Sequence, residues 1–203
     1  VNLSLHPLKY TLLSNLRFLS SDGRCRSFGV GGDGYVPAEA VGAVILKRKS
    51  DALSDGDHIY GVIRSTAVNH GGRTSGFTVP NPNRQAALIK DAIQTAGVDA
   101  RDISYVEAHG TGTSLGDPIE IAGLSKAFAQ SEAGYCALGS AKSNIGHAEA
   151  AAGVAGLNKI LLQMQHQKIA PSLHSQALNP YAKIDSSPFV VQQQLGDWTL
   201  SGK

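Results

Sequence analysis

The sequence predicts an α/β fold built in stacked layers, and three observations carry that prediction. Short apolar runs rich in β-branched residues alternate with helical periodicities along the chain. Glycine-containing turns stand at nearly every junction between them. The 203-residue chain is long enough for one domain with a real core. No internal repeat, low-complexity tract or linker divides it.

Residues 8–20 (LKYTLLSNLRFLS) carry apolar positions at helical spacing until Asp22-Gly23 breaks the pattern. Residues 28–42 form a glycine-rich loop. The run AVILK at 43–47 reads as a buried strand, and IYGVIRSTAV at 59–68 as a second one. A polar, glycine-rich loop covers 69–83, followed by an amphipathic helix over 84–96 that Gly97 closes. Residues 103–108 read as a strand ending at His109, with a helix from Pro118 to about Ala129 beyond a Gly/Thr-rich turn. A strand over 136–141, a long Ala/Gly-rich helix from about Ala148 to Gln165, and a last strand over 188–194 complete the chain.

Composition excludes several classes. Hydrophobic residues make up 42% and charged residues 17%, ordinary values for a globular protein. A net charge of +2, without a basic run, argues against nucleic acid as a partner. Cys25 and Cys136 are the only cysteines, so neither a disulfide framework nor a zinc cluster is expected, and a reducing, cytoplasmic setting fits best. No apolar stretch approaches membrane-spanning length and no signal peptide is visible. The chain starts Val1-Asn2-Leu3 and stops at Ser201-Gly202-Lys203 after a strand-like run. Both ends read as cut.

Two segments carry the chemistry. The first is EAHGTGTSLGDPIE, from Glu107 to Glu120; the second is GSAKSNIGH, from Gly139 to His147. Each places a histidine where a strand has ended and a turn leads to a helix, the edge of an α/β sheet at which ligands bind. His147 precedes the Ala-rich helix, whose dipole disfavours imidazolium. A neutral imidazole donates one hydrogen bond to an oxygen that becomes negative during reaction. Either histidine alone would more simply satisfy local backbone groups; the two together favour function. Asp117-Pro118-Ile119-Glu120 also reads as an N-cap, a first-turn proline and a capping box. That reading weighs about as much as a catalytic role for Asp117. Glu120 is the expected partner of Lys142, because an unpaired buried charge is costly.

Other motifs are set aside. Gly29–Gly34 matches GxGxxG but follows a polar stretch and leads into Tyr35-Val36-Pro37, so it reads as a tight loop and not a nucleotide site. Cys25, between two arginines, has no base near it in sequence, and Cys136 reads as a small core residue. Neither is expected to be a nucleophile. His6, His58, His70, His166 and His174 sit in polar stretches and read as solvated.

The segments VEAHGTGTSLGDPIE and GSAKSNIGHAEAAAGVAGLNKILL resemble the two histidine motifs of β-ketoacyl synthases. Supporting matches run along nearly the whole chain: VNLSLHP, DGRCRSFGVGGDGYVPAEAVGAVILKR, SGFTVPNPNRQ and PSLHSQALNP. CRSFGVGGDGYVP and SSPFVVQQQLGDW are most similar to ketosynthases of modular bacterial polyketide synthases, and the trans-acyltransferase type is expected. The resemblance implies a thiolase-like fold, layered αβαβα and here incomplete, that works as a homodimer. It implies a ping-pong decarboxylative condensation with substrates carried on the phosphopantetheine of acyl carrier protein, and no directly bound cofactor or metal. By position, His109 and His147 would stabilise the enolate of the malonyl thioester, and Lys142 with Glu120 would organise the site. Thr111, Thr113 and Asn144 would contact substrate, the threonines at the pantetheine arm.

The departures from the family matter. The family's nucleophilic cysteine lies before the equivalent of Val1, and its late glycine-rich loop follows the equivalent of Lys203. Ala38-Glu39-Ala40 stands where Gly-Glu-Gly is usual. The chain therefore reads, over 1–203, as part of a ketosynthase domain that needs the missing portion as partner and is inactive and poorly soluble alone. The alternatives are a split ketosynthase and a non-condensing domain that only binds acyl chains or carrier protein.

Overall fold

The computed structural model describes residues 1–74, 76, 79–128 and 132–198. Among these residues five strands form: β1 (Tyr105–Glu107), β2 (Cys136–Gly139), β3 (Lys168–Ile169), β4 (Phe189–Val191) and β5 (Gly196–Asp197). The helices are α1 (Leu8–Asn15), α2 (Lys49–Asp55), α3 (Pro82–Ala96), α4 (Gly116–Ala127), α5 (Lys142–Ile145) and α6 (Ala152–His166), with short 3-10 turns between some of them. The apolar runs at β1, β2 and β4 build a parallel sheet in the order β1-β2-β4, and β3 pairs antiparallel with β5.

The register divides the sheet's two faces. Val106, Leu138 and Val191 align across it on one side. They pack with Phe28, Ile121, Leu124, Phe128 and Phe189, and α3 adds Ile89 and Ile93 behind α4. Tyr105 and Glu107, aligned with Ala137 and Gly139, point the other way, toward Lys159 of α6. The sheet is thus sandwiched between α4 with α3 on one face and α6 on the other. Its parallel strands deliver their carboxyl ends, and the loops that follow, to one edge.

Helix α3 starts as its sequence dictates. Asn81 caps it by accepting from the N–H of Asn83 and Arg84, Pro82 occupies the first turn, and Gly97 closes it at φ 64°.

Four expectations need correction. Residues 43–47 and 59–68 are not strands. They run over the outer face of α6, where Gly42 lies against Val154 and Gly61 against Leu161. Among the described residues neither finds a ladder partner, and Ile45 and Val68 are 98% and 96% exposed. β-propensity reports fit to a pleated surface, not an intrinsic backbone preference, so apolar composition alone did not make a strand. The following residues form α2 instead.

The expected capping box is also absent. Helix α4 begins at Gly116, its N-cap Leu115 makes no side-chain cap bond, and Thr113 Oγ1 takes the Gly116 N–H instead. Asp117 and Glu120 turn to loops outside the helix, as described below. The expected end of this helix at Ala129 and the chain end at Ser201–Lys203 lie outside the described residues. Finally, Cys25, whose arginine-flanked surroundings read as a polar loop, is buried, and its Sγ accepts from the Val36 N–H at 3.1 Å.

Candidate active site

Two loops at the carboxyl edge of the sheet carry the site. The first leaves β1 and passes through His109 to Thr113; the second leaves β2, forms α5 and reaches His147. The rings of His109 and His147 meet edge to face, 5.3 Å apart at an angle of 85°. Tyr35 of the glycine-rich loop sits on the other side of His147 at 4.8 Å.

The first loop is held from below by the carboxylates of α4. Glu120 accepts from the N–H of His109 at 2.6 Å and of Gly110 at 2.8 Å. Asp117 accepts from the N–H of Phe28 at 2.6 Å and of Gly112 at 3.1 Å. Burial raises the pKa of both groups, Asp117 to about 7. Gly110 is required at its position: φ is 45°, and a Cβ there would stand 2.7 Å from that of Ser140. Buried serine hydroxyls tie the loops together, Ser27 donating to Gly110 O at 2.6 Å and Ser140 bridging toward His109 O and Gly110 O at 3.3 Å.

The second loop is pinned to the glycine-rich segment. His147 N–H donates to Val36 O at 2.7 Å, and Ala38 N–H returns a bond to His147 O at 3.0 Å. The imidazole Nδ1 accepts from the Glu149 N–H at 2.9 Å. An accepting Nδ1 carries no proton, so a neutral ring presents Nε2–H as a donor. Removal from water, reinforced by the Lys142 cation, lowers both histidines to about 4. His147 does not open the long helix: a 3-10 turn at Glu149–Ala151 intervenes before α6. Burial and the cation keep it neutral, in place of the expected helix dipole.

Lys142 is buried at the start of α5, and burial lowers its pKa. It forms no ion pair within 4 Å among the described residues. The expected pairing with Glu120 is corrected accordingly: both Glu120 oxygens are taken by backbone N–H groups, and Glu120 acts on Lys142 only through its field, together with Glu107. Thr111 and Thr113 face each other, Oγ1 to Oγ1 at 3.3 Å, and Thr113 accepts from Gly116 N–H. Asn144 stands exposed in the second loop, donating to Pro171 O at 3.1 Å. His109 and Lys142 open on a cleft of about 380 Å³ floored by α6.

One cluster escaped the sequence reading. Lys159 of α6 pairs with Glu107 at 2.8 Å, their side chains 12% and 10% exposed, and Tyr105 bonds to both. The available signal was the one lysine of that helix, set directly before the apolar run Ile160-Leu161-Leu162. Cys136 is buried as expected, with its thiol pushed up to about 12, and burial also raises Cys25. Among the described residues no group of His, Cys, Asp and Glu is arranged to hold a metal ion, and no helix is long and apolar enough to cross a membrane.

The family model of the beta-ketoacyl synthase C-terminal domain matches residues 60–176, and that of the N-terminal domain matches residues 1–52. Polyketide synthase PksL of Bacillus subtilis is 62% identical over 98% of the chain, and polyketide synthase ThaG of Burkholderia thailandensis is 59% identical over 100% of it. The chain spans about 4% of the length of each. An oxazolomycin ketosynthase domain from Streptomyces albus superposes with a TM-score of 0.95 at 57% identity, covering 98% of this chain and 35% of that one. The ketosynthase from module 6 of the Bacillus subtilis bacillaene synthase gives 0.96 at 44% identity, over 100% of this chain and 37% of its own. These neighbours share the thiolase-like fold, of which this chain is an α/β portion.

Proposed function

From a chain that belongs to the beta-ketoacyl synthase family, with polyketide synthase ketosynthases as its relatives, we propose the two-histidine half of a site for decarboxylative condensation. One observation supports this most: two imidazoles, pushed toward the neutral form by partial removal from water and by the Lys142 cation, stand edge to face at a sheet edge, and His147 is held in the tautomer that donates from Nε2.

In this reading the acyl group first occupies a cysteine supplied outside residues 1–203. Cys25 and Cys136 are poor candidates, since burial keeps both thiols protonated. A malonyl thioester on the phosphopantetheine of acyl carrier protein then enters past Thr111, Thr113 and Asn144. Its Cα–carboxylate bond breaks, carbon dioxide leaves, and the electron pair moves onto the thioester as an enolate. His147 Nε2–H, with the His109 ring beside it, stabilises the enolate oxygen. The enolate carbon attacks the acyl thioester, the new carbon–carbon bond forms, and the cysteine thiolate departs. Lys142 contributes a positive field behind both rings, and Glu120 fixes the backbone of His109.

The natural partners are acyl carrier protein, the remainder of the ketosynthase domain and a second copy in a homodimer, in the cytoplasm. Alone, residues 1–203 are inactive. The test uses a ketosynthase domain of full family length carrying these residues. Replacing either histidine by alanine, which removes its donor, lowers malonyl-thioester decarboxylation about 10²–10³-fold, the usual loss for one oxyanion donor. Parental decarboxylation in both folded variants would overturn the proposal.

A further inference from the structure

We propose that Glu107 is a positioning residue of this site. Its carboxylate, braced by Lys159 and Tyr105, anchors the backbone of the turn that carries Lys142. Glu107 is the last residue of β1 and lies on the sheet face that meets α6. Its Oε1 accepts from the Ala141 N–H at 2.6 Å. Its Oε2 accepts from Tyr105 OH at 2.5 Å and from Lys159 Nζ at 2.8 Å. Lys159 closes the triangle with Tyr105 OH at 2.8 Å. One side chain therefore joins the first histidine loop, two residues before His109, to the second loop, one residue before Lys142.

The surrounding sequence makes room for this arrangement. A Cβ on Gly139 would stand 2.6 Å from Tyr105 OH and 3.2 Å from Lys159 Nζ, and one on Gly156 would meet Glu107 Cγ at 3.1 Å. Glycine at those two positions lets strand and helix close around the carboxylate. Glu107 also lines the cleft shared by His109 and Lys142. A buried ion pair is weak evidence for stability, since apolar residues of similar volume often replace one without loss. The geometry favours specificity of position: among the described residues, the one hydrogen bond to Glu107 Oε1 comes from the turn that presents Lys142.

This inference rests on the two-imidazole reading, and the experiment separates the two. Two charge-free variants are compared in a full-length ketosynthase domain carrying this chain. Glu107→Gln with Lys159→Met keeps a carbonyl oxygen for the Ala141 N–H, and Glu107→Leu with Lys159→Met removes it. Neither leaves a buried charge unpaired. Decarboxylation of a malonyl thioester is measured per titrated active site, so loss of folded protein does not enter. The glutamine pair retains most of the parental kcat. The leucine pair loses about 10- to 100-fold in kcat with KM little changed, the scale of a small misplacement of catalytic groups. Glu107→Ala with Lys159→Met makes the same comparison if leucine does not pack. Equal kcat in the two folded variants overturns the inference, whereas an inactive parent would refute the two-imidazole reading itself.

Discussion

Glu120→Gln tests the loop that carries His109. The carboxylate gives one oxygen each to the N–H of His109 and Gly110, at 2.6 and 2.8 Å. Glutamine keeps one oxygen and turns an NH₂ toward the other N–H, so one bond is lost and two donors face each other. A hydrogen bond to a charged group is worth about 1.5–3 kcal/mol, and a buried donor left unpaired costs about 1–3 kcal/mol. His109 is exposed, which keeps the sum at the low end, about 2–3 kcal/mol. Urea denaturation of a full-length ketosynthase domain measures it as a lower midpoint at unchanged slope. The same variant frees His109 to shift, so malonyl decarboxylation falls about 10-fold or more. A midpoint within about 0.5 kcal/mol of the parent, the range of an ordinary surface change, together with unchanged decarboxylation, would refute the role given to Glu120.

Other outcomes follow from the same geometry. Asp117 holds its proton more tightly folded than unfolded, its pKa raised by burial from 3.8 to about 7. Its contribution is therefore complete below about pH 4 and is lost as pH rises through 7, by up to about 4 kcal/mol at ~1.4 kcal/mol per pH unit. The parent should lose stability relative to Asp117→Asn between pH 5 and pH 8; a constant difference in denaturation midpoints would contradict this. Gly110→Ala forces a Cβ to within 2.7 Å of the Ser140 side chain at φ 45°, and calorimetry should show a loss of at least about 1–3 kcal/mol. The 203-residue chain alone presents Ile45, Leu46, Ile63 and Val68 to water and should self-associate. A monodisperse sample with a cooperative melt would contradict that.

The strands of the parallel sheet were legible because each is a short run that turns apolar residues, Val106, Leu138 and Val191, to the core. Helix α3 was legible from its amphipathic period and from Gly97 at its end, but its start at Pro82 lies two residues before the expected 84, because the Asn81 cap and Pro82 were read as loop. The two histidines were legible because strand ends and glycine turns deliver side chains to one edge. Residues 43–47 and 59–68 misled because composition reports fit to a sheet, whereas a strand also needs a neighbour within hydrogen-bonding distance. Asp117 and Glu120 matched a local capping pattern, yet the N–H groups of Phe28, His109, Gly110 and Gly112 compete for their oxygens across the fold. No local rule sees that competition. The Tyr105–Glu107–Lys159 cluster joins residues up to 54 positions apart, and β3 with β5 is a pair of two-residue strands. Neither is long enough in sequence to leave a periodic signal.

The central claim is that both imidazoles are neutral at physiological pH and that His147 carries its proton on Nε2. Nitrogen NMR of a full-length ketosynthase domain labelled at histidine, titrated from pH 4 to pH 8, tests this directly. The account predicts two site histidines that stay neutral down to about pH 5, consistent with values near 4, with the Nδ1 of His147 showing the shift of an unprotonated acceptor. Imidazolium signals for both residues at pH 6, or a proton on His147 Nδ1, would contradict it.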